Sequence, residues 1–180
     1  MTREQLIKEA HIVLRAGREM IVNGEDVQIN VIVFAKGQNE WHLMEGDNDY
    51  NQFARKKLAF SRAMKARVSK GDVEAVMVMS DVWFTKHELM NVSAKDYKAS
   101  EDPFARMIDE VGMEAAAEAG YCEKSEALMV NAESPTDKYG LVQPYSRDQD
   151  GKPVFEELDE SGGFAQGRFA NFFEGAATTP

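Results

Sequence analysis

The chain has 180 residues, of which 43% are hydrophobic and 29% are charged, and its formal net charge is −10. This composition is typical of a soluble globular protein, and the length suits one domain. No apolar run approaches the roughly 20 residues that a membrane-spanning helix needs. The negative net charge also argues against broad binding to nucleic acid or to anionic membranes, because like charges repel.

The pattern of the first 21 residues predicts an amphipathic helix over residues 3–21. Thr2 and Gln5 match a capping box, in which each side chain binds the backbone N–H group of the other residue. Apolar or small residues then recur at helical spacing, at Leu6, Ala10, Val13, Leu14, Gly17 and Ile21. The segment carries acidic residues and is amphipathic, so it does not resemble a secretory signal.

A hairpin and a second helix follow in the predicted order. Residues 27–45 predict two strands that turn at 36–39. Asp49 is the predicted cap of the second helix, with Gln52 three residues further on, and Gly71 ends that helix. The predicted buried stripe of the second helix is formed by Phe53, Leu58, Phe60, Met64 and Val68.

The second half of the chain predicts one strand, one helix and three more strands. Residues 71–86 read as a central strand, and Asp102 followed by Pro103 predicts the start of a third helix that Gly120 ends. Strands are predicted at 126–133, 139–147 and 152–158, with Pro144 favouring an edge position or a bulge for the middle one. The tail, residues 161–180, is rich in Gly and Phe and is predicted to be partly disordered.

The resulting order, α-ββ-α-β-α-βββ, predicts a single α+β domain over residues 1–160. We expect a mixed or antiparallel sheet of about five to six strands with two to three packed helices. Several strands are apolar on both faces, so both faces of the sheet need cover. The first two helices are expected to cover one face. The third helix, the tail or another molecule is expected to cover the other.

Ser80 and Asp81 interrupt the apolar run of the central strand. Neighbouring residues of a strand point to opposite faces, so these two side chains cannot reach one site from a regular strand. His87 follows Asp81 by six residues, roughly 20 Å along an extended chain, which excludes a local Ser-Asp-His triad unless the chain bends sharply. The preferred interpretation is that the strand leaves its core at Ser80 and Asp81.

The sequence predicts no metal site and no cofactor. Residues 47–51 begin like a calcium loop, but Gln52 and Leu58 occupy the positions that require Gly and Glu. The residues that most often bind zinc are dispersed without a recognised ligand spacing, at His11, His42, His87 and Cys122. No glycine-rich phosphate loop is present. Because Cys122 is the only cysteine, no internal disulfide forms, and we expect a cytoplasmic protein.

Two groups of residues are candidates for binding. The second helix has seven basic residues and no acid, and Arg62, Lys65 and Arg67 are its candidate anion contacts, although an ordinary solvated face is the preferred interpretation. Aromatic side chains form the second group, as candidate contacts with a partner or another subunit, at Trp83, Phe164, Phe169, Phe172 and Phe173. Docking of the tail on its own sheet is the favoured alternative for these phenylalanines, since exposed aromatic patches are uncommon on monomers.

No motif covers enough of the chain to assign a function. The leading hypothesis is a binding or accessory module that contacts a protein partner or a second copy of itself. The first alternative is an enzyme whose site is assembled from distant segments, with Asp81, His42 and His87 as the residues to test. The second alternative is nucleic-acid binding through the second helix, which the net charge makes less favourable.

Overall fold

Two helices and six strands make up the part of the chain that the computed structural model describes, which is residues 1–36, 38–44, 50–86, 123–160 and 171–173. In chain order these elements are α1 (Arg3–Val22), β1 (Ile29–Ala35), β2 (Gln38–Met44), α2 (Tyr50–Val68), β3 (Val73–Lys86), β4 (Glu123–Glu133), β5 (Lys138–Arg147) and β6 (Pro153–Phe155). The predicted third helix, its capping residues Asp102 and Pro103, residues 47–49 of the calcium-like segment (with the predicted cap Asp49) and Cys122 lie outside the described residues.

Helix α1 forms where local signals predict it. The Gln5 backbone N–H donates to Thr2 Oγ1 at 3.3 Å, and the Thr2 backbone N–H donates to Gln5 Oε1 at 2.9 Å, which completes the capping box. The helix ends at Val22 with Asn23 as its C-cap, and Gly24 follows with a φ of 75°, a left-handed conformation that costs glycine little. Its buried residues are the predicted ones, Leu6, Ala10, Val13, Leu14, Gly17 and Ile21.

The six strands form one antiparallel sheet in the order β2-β1-β3-β4-β5-β6, which confirms the α+β class. The edge strands are therefore β2 and β6. The prediction of an edge position for the strand at 139–147 is wrong, because β5 lies between β4 and β6. Pro144 is accommodated because β6 pairs with β5 only from Tyr145 to Arg147. The Pro144 carbonyl accepts the Glu156 N–H at 2.9 Å, and since the N and C=O groups of one strand residue point to the same side, the missing N–H faces the β6 side and not β4.

Each face of the sheet is covered by a different helix. Helix α1 packs on the face that carries Ile32, Met77 and Leu128. Met64 and Val68 of α2 pack in the opposite cluster, with β-branched side chains from β1 and β3, at Val31, Val33, Val76 and Val78. The two-sided apolar sheet is confirmed, but the expectation that both helices share one face is wrong. Periodicity identifies the apolar stripe of a helix and does not tell which face of the sheet the stripe meets.

Two local predictions also need correction. Leu58 is 42% exposed, because it precedes the buried Met64 by six residues and so lies about 120° around the helix from it. Ser80 of β3 is still buried, so the strand leaves its core at Asp81, one residue later than the start of the predicted position, and the strand itself continues to Lys86. Asp81 is exposed, as expected, and accepts a hydrogen bond from the Tyr145 hydroxyl at 2.8 Å.

The chain divides into two compact units, one formed by residues 1–82 with 127–180 and the other by residues 83–126. Both described helices belong to the first unit. Of the second unit, the structure describes the end of β3 and the start of β4. Neither α1 nor α2 contains an apolar stretch long enough to cross a membrane.

Candidate functional site

The edge strand β2 exposes two large apolar side chains on one face. Trp41 is 58% exposed and Leu43 is 57% exposed. They face away from α2, because Trp41 pairs with Ile32, whose side chain belongs to the α1 cluster, and Leu43 lies two residues further on the same face. In the described part of the chain, β1 is the only strand beside β2. The outer edge of the sheet and an apolar surface therefore coincide on this strand.

The Trp41 indole is held in place by a hydrogen bond. Its Nε1–H donates to Asn30 Oδ1 at 2.8 Å, and the Asn30 side-chain amide donates to the Gln28 carbonyl at 2.9 Å. Asn30 itself is 4% exposed, so the acceptor belongs to the folded sheet rather than to a mobile surface group. Fixing an aromatic side chain before binding reduces the entropy lost when a partner covers it.

The opposite face of β2 is tied to α2 by charged and aromatic contacts. The Arg67 guanidinium binds both carboxylate oxygens of Glu40, and the Arg67 Nη2–Glu40 Oε1 distance is 2.5 Å. This contact lowers the pKa of Glu40 below its usual range and raises the pKa of Arg67. The His42 ring meets the edge of Phe60 at a centroid distance of 5.9 Å, and His42 Nε2 lies 3.4 Å from Glu40 Oε2.

The candidate anion contacts of α2 differ from one another in their surroundings. Arg67 binds Glu40 and lies 3.8 Å from Asp72, so its charge is neutralised within the domain. Arg62 and Lys65 are exposed. An anion site made of all three residues would have to displace Glu40 from Arg67. Nucleic-acid binding through this helix stays the less favoured alternative hypothesis.

The residues predicted for an enzyme do not converge in the described structure. His42 lies on the α2 face of β2, whereas Asp81 lies on the α1 face of β3 with Met77 and Met79. His87 lies outside the described residues. Trp83 belongs to β3, and its side chain is also outside the described part of the structure.

The tail contributes to the core of its own sheet. Phe172 is 2% exposed and packs in the α2 cluster, and Phe173 is partly buried beside it. Both backbone N–H groups donate to the carboxyl group of Glu133, at 3.0 and 3.1 Å. Phe164 and Phe169 lie outside the described residues. Glu133 was not among the predicted site residues, although an acidic residue at the end of the apolar strand 126–133 indicates that it needs a partner.

A second polar cluster, formed by His11, Tyr139 and Glu160, lies beside α1. The Tyr139 hydroxyl donates to Glu160 Oε2 at 3.1 Å and lies 3.3 Å from His11 Nε2. Burial raises the pKa of Tyr139, and the hydrogen bond to Glu160 raises it further. Three segments distant in the sequence meet here, so sequence spacing could not reveal the cluster.

Replacing Tyr139 with phenylalanine should reduce the loss of stability at alkaline pH. The pKa of Tyr139 is raised in the folded state. The protonated hydroxyl therefore contributes fully to the free energy of unfolding below the ordinary tyrosine pKa of about 10. This contribution is lost as the pH rises through the folded-state pKa. Urea unfolding from pH 8 to 11.5 measures the effect. The two proteins should differ by about 1 kcal/mol at pH 8 and by less at pH 11.5. Parallel curves would show that Tyr139 has no such role.

In the ranges that the structure describes, no three His, Cys, Asp or Glu side chains are arranged to hold a metal ion.

The chain matches no protein-family model, no curated protein and no solved structure. A proposal for its function therefore has to follow from the geometry of its own surfaces.

Proposed function

We propose that the protein is a binding module that works through protein–protein contact, and that its first partner is a second copy of the same chain. The observation that supports this most directly is the exposed pair Trp41 and Leu43 on the edge strand β2. A free strand edge offers unpaired backbone N–H and C=O groups to another chain. The cytoplasm, inferred from the single cysteine, is the expected location.

The β2 edge lacks the features that commonly prevent such pairing. Its sequence, QNEWHLM, contains no Lys and no Pro, and the carboxylate of its only acidic residue, Glu40, is bound by Arg67 on the α2 face. The strand is seven residues long, whereas the other edge strand, β6, has three residues. The longer edge carries the larger exposed side chains, so β2 is the better candidate for pairing.

Two copies of β2 can pair antiparallel about a two-fold axis. In an antiparallel pair, facing residues must both direct their backbone groups toward the partner strand or both direct them away. A two-fold pair of β2 strands can therefore be centred on a residue and not between two residues. The central choices are Glu40, Trp41 and His42, which differ in the side chains that they bring face to face.

The axis at Trp41 gives the most favourable contacts. Glu40 of each strand then faces His42 of the partner subunit, and the two Trp41 side chains lie opposite each other. Aromatic pairs stabilise facing positions of a sheet, and a carboxylate can accept a hydrogen bond from an imidazole N–H that faces it. An axis at Glu40 would place two carboxylates together, and an axis at His42 would place two imidazoles together. We therefore propose the Trp41 register for the dimer.

Replacing Trp41 with serine should weaken self-association by about 100-fold or more, because two buried aromatic anchors are lost from each dimer. Sedimentation velocity over a micromolar concentration series measures this change. The matched control is Val154→Ser, since Val154 is 49% exposed on the opposite edge strand β6. This control should dimerise like the unmodified chain. A chain that stays monomeric throughout the series would refute self-association.

Disulfide trapping tests the register. In a Cys122→Ser background, one chain carries Asn39→Cys and another carries Leu43→Cys, so Trp41 is retained. The Trp41 register places residue 39 opposite residue 43, with Cα atoms about 5 Å apart, whereas two copies of residue 43 would be about 14 Å apart. Mixing the two variants should give the mixed disulfide as the main product. A majority of 43–43 product would refute this register.

A further inference from the structure

A groove lies between the C-terminal half of α1 and the short strand β6, away from the β2 edge. Its helix side is lined by Arg15, Arg18 and Glu19, and its strand side by Pro153 and Phe155. The groove is open and has a volume of about 720 Å³. Sites for small organic ligands commonly have volumes of about 300–1,000 Å³. The groove is therefore large enough for a ligand the size of a substituted aromatic ring or larger.

The two arginines lie on the same side of α1, because residues three apart are neighbours on a helix surface. Both are exposed, and among the described residues no carboxylate lies within ion-pair distance of either guanidinium. Glu19 is the only acidic residue in the lining, so the groove carries a local excess of positive charge. The whole chain has a net charge of −10, so this local positive charge is opposite in sign to the charge of the protein.

Phe155 gives the groove an aromatic floor and orients one of the arginines. The Arg18 guanidinium carbon lies 4.6 Å from the centre of the Phe155 ring. Phe155 in turn packs against Tyr145 at a centroid distance of 5.7 Å, and Tyr145 is 1% exposed. The N–H groups of a guanidinium lie in its plane and can bind two oxygens of one anion, and the contact with the Phe155 ring limits where Arg18 places them.

We propose that this groove binds a small organic anion, namely a planar aromatic ring that carries a phosphate or carboxylate group. The anionic group binds Arg15 and Arg18, and the ring packs on Pro153 and on the part of the Phe155 side chain that Arg18 does not cover. The combination selects against inorganic anions, which cannot contact the apolar floor, and against neutral aromatics, which leave the guanidiniums without an anion. The groove shares no residue with the β2 edge, so a negative result for anion binding leaves the proposed self-association through β2 unaffected, and the reverse also holds.

Binding of phenyl phosphate to the 180-residue protein, measured by NMR titration, tests the proposal. Benzoate replaces the phosphate with a carboxylate and shows which anion the groove prefers. Inorganic phosphate lacks the ring, and benzyl alcohol lacks the charge. We expect phenyl phosphate or benzoate to bind at least tenfold more tightly than inorganic phosphate and benzyl alcohol. Equal affinity for inorganic phosphate and for both aromatic anions would overturn the proposal, and so would the absence of binding by both aromatic anions.

The double variant Arg15→Gln, Arg18→Gln should weaken binding of the preferred aromatic anion at least tenfold. Arg62→Gln is the matched control, because Arg62 is an exposed arginine on α2, outside the groove. This control should bind within twofold of the unmodified chain. Phe155→Leu should weaken binding of the aromatic anion several-fold and leave the weak binding of inorganic phosphate unchanged. A loss of similar size in the double variant and in Arg62→Gln would show nonspecific attraction and overturn the proposal.

Discussion

Replacing Glu133 with alanine is expected to lower the free energy of unfolding by about 3 kcal/mol, because it leaves two backbone donors without their acceptor. Glu133 is 2% exposed, and its two carboxyl oxygens accept the N–H groups of Phe172 and Phe173 at 3.0 and 3.1 Å. The tail segment is thereby joined to β4, some 40 residues earlier in the chain. Urea unfolding followed by circular dichroism measures the change.

Two further variants separate the hydrogen bonds from the loss of a charge. Glu133→Gln keeps one acceptor oxygen but places an amide donor opposite a backbone N–H, so a loss intermediate between zero and that of the alanine variant is expected. Glu157→Ala is the matched control, since Glu157 is exposed, and its effect should stay within about 0.5 kcal/mol. If Glu133→Ala were no worse than this control, the tail contact would have no energetic role.

Truncation of Phe172 tests whether its side chain and the Glu133 carboxyl group hold the tail together. It packs among Met64 and Val68 of α2 and the valines of β1 and β3, so Phe172→Ala should cost about 3–5 kcal/mol. Once Phe172 is truncated, the tail is weakly held, and Glu133→Ala should cost less than it does alone. A non-additive double variant would show that the buried side chain and the carboxyl group act as one anchor. Strict additivity would contradict that conclusion.

Replacing Gly17 with leucine is expected to destabilise the protein by about 3 kcal/mol, because α1 packs against the sheet without space for a side chain at this position. A β-carbon at residue 17 would lie 2.6 Å from Met79 Sδ and 2.7 Å from Leu128 Cδ2. Both neighbouring residues are fully buried, so the ends of their side chains can shift only slightly, which is too little for a leucine side chain. Thermal unfolding measures the effect.

The smaller variant Gly17→Ala distinguishes crowding from helix propensity. Alanine gains about 1 kcal/mol in helix propensity, and the ends of the Met79 and Leu128 side chains can shift slightly, so a net change near zero is expected. Lys8→Leu places a leucine on the exposed side of the same helix and should be nearly neutral. If Gly17→Leu destabilised the protein no more than Lys8→Leu, the close approach of helix and sheet would be refuted.

The sequence reveals little of the candidate surfaces, for a physical reason. Trp41 and Leu43 alternate along β2 as they would in a buried strand, and only the position of β2 at the sheet edge leaves them exposed. The groove joins α1 to β6, and the His11 cluster joins α1 to Tyr139 of β5 and to Glu160. In both sites the α1 residues are more than 120 positions from their partners in the sequence. Glu133 finds its partners in the tail. These contacts depend on chain topology, which local patterns do not encode.

The sequence by itself determined the elements whose causes are local. Helix α1 is specified by the capping box at Thr2 and Gln5 and by the spacing of its apolar residues. Several strands are apolar on both faces, which specifies a sheet that must be covered on both faces. Only the tertiary structure decided that α1 and α2 take opposite faces, that β5 is an inner strand, and that Phe172 completes the α2 face. A local pattern reports which side of an element is apolar. Which partner that side meets depends on strand order and on how the connections cross the sheet, and these emerge only when the whole chain packs.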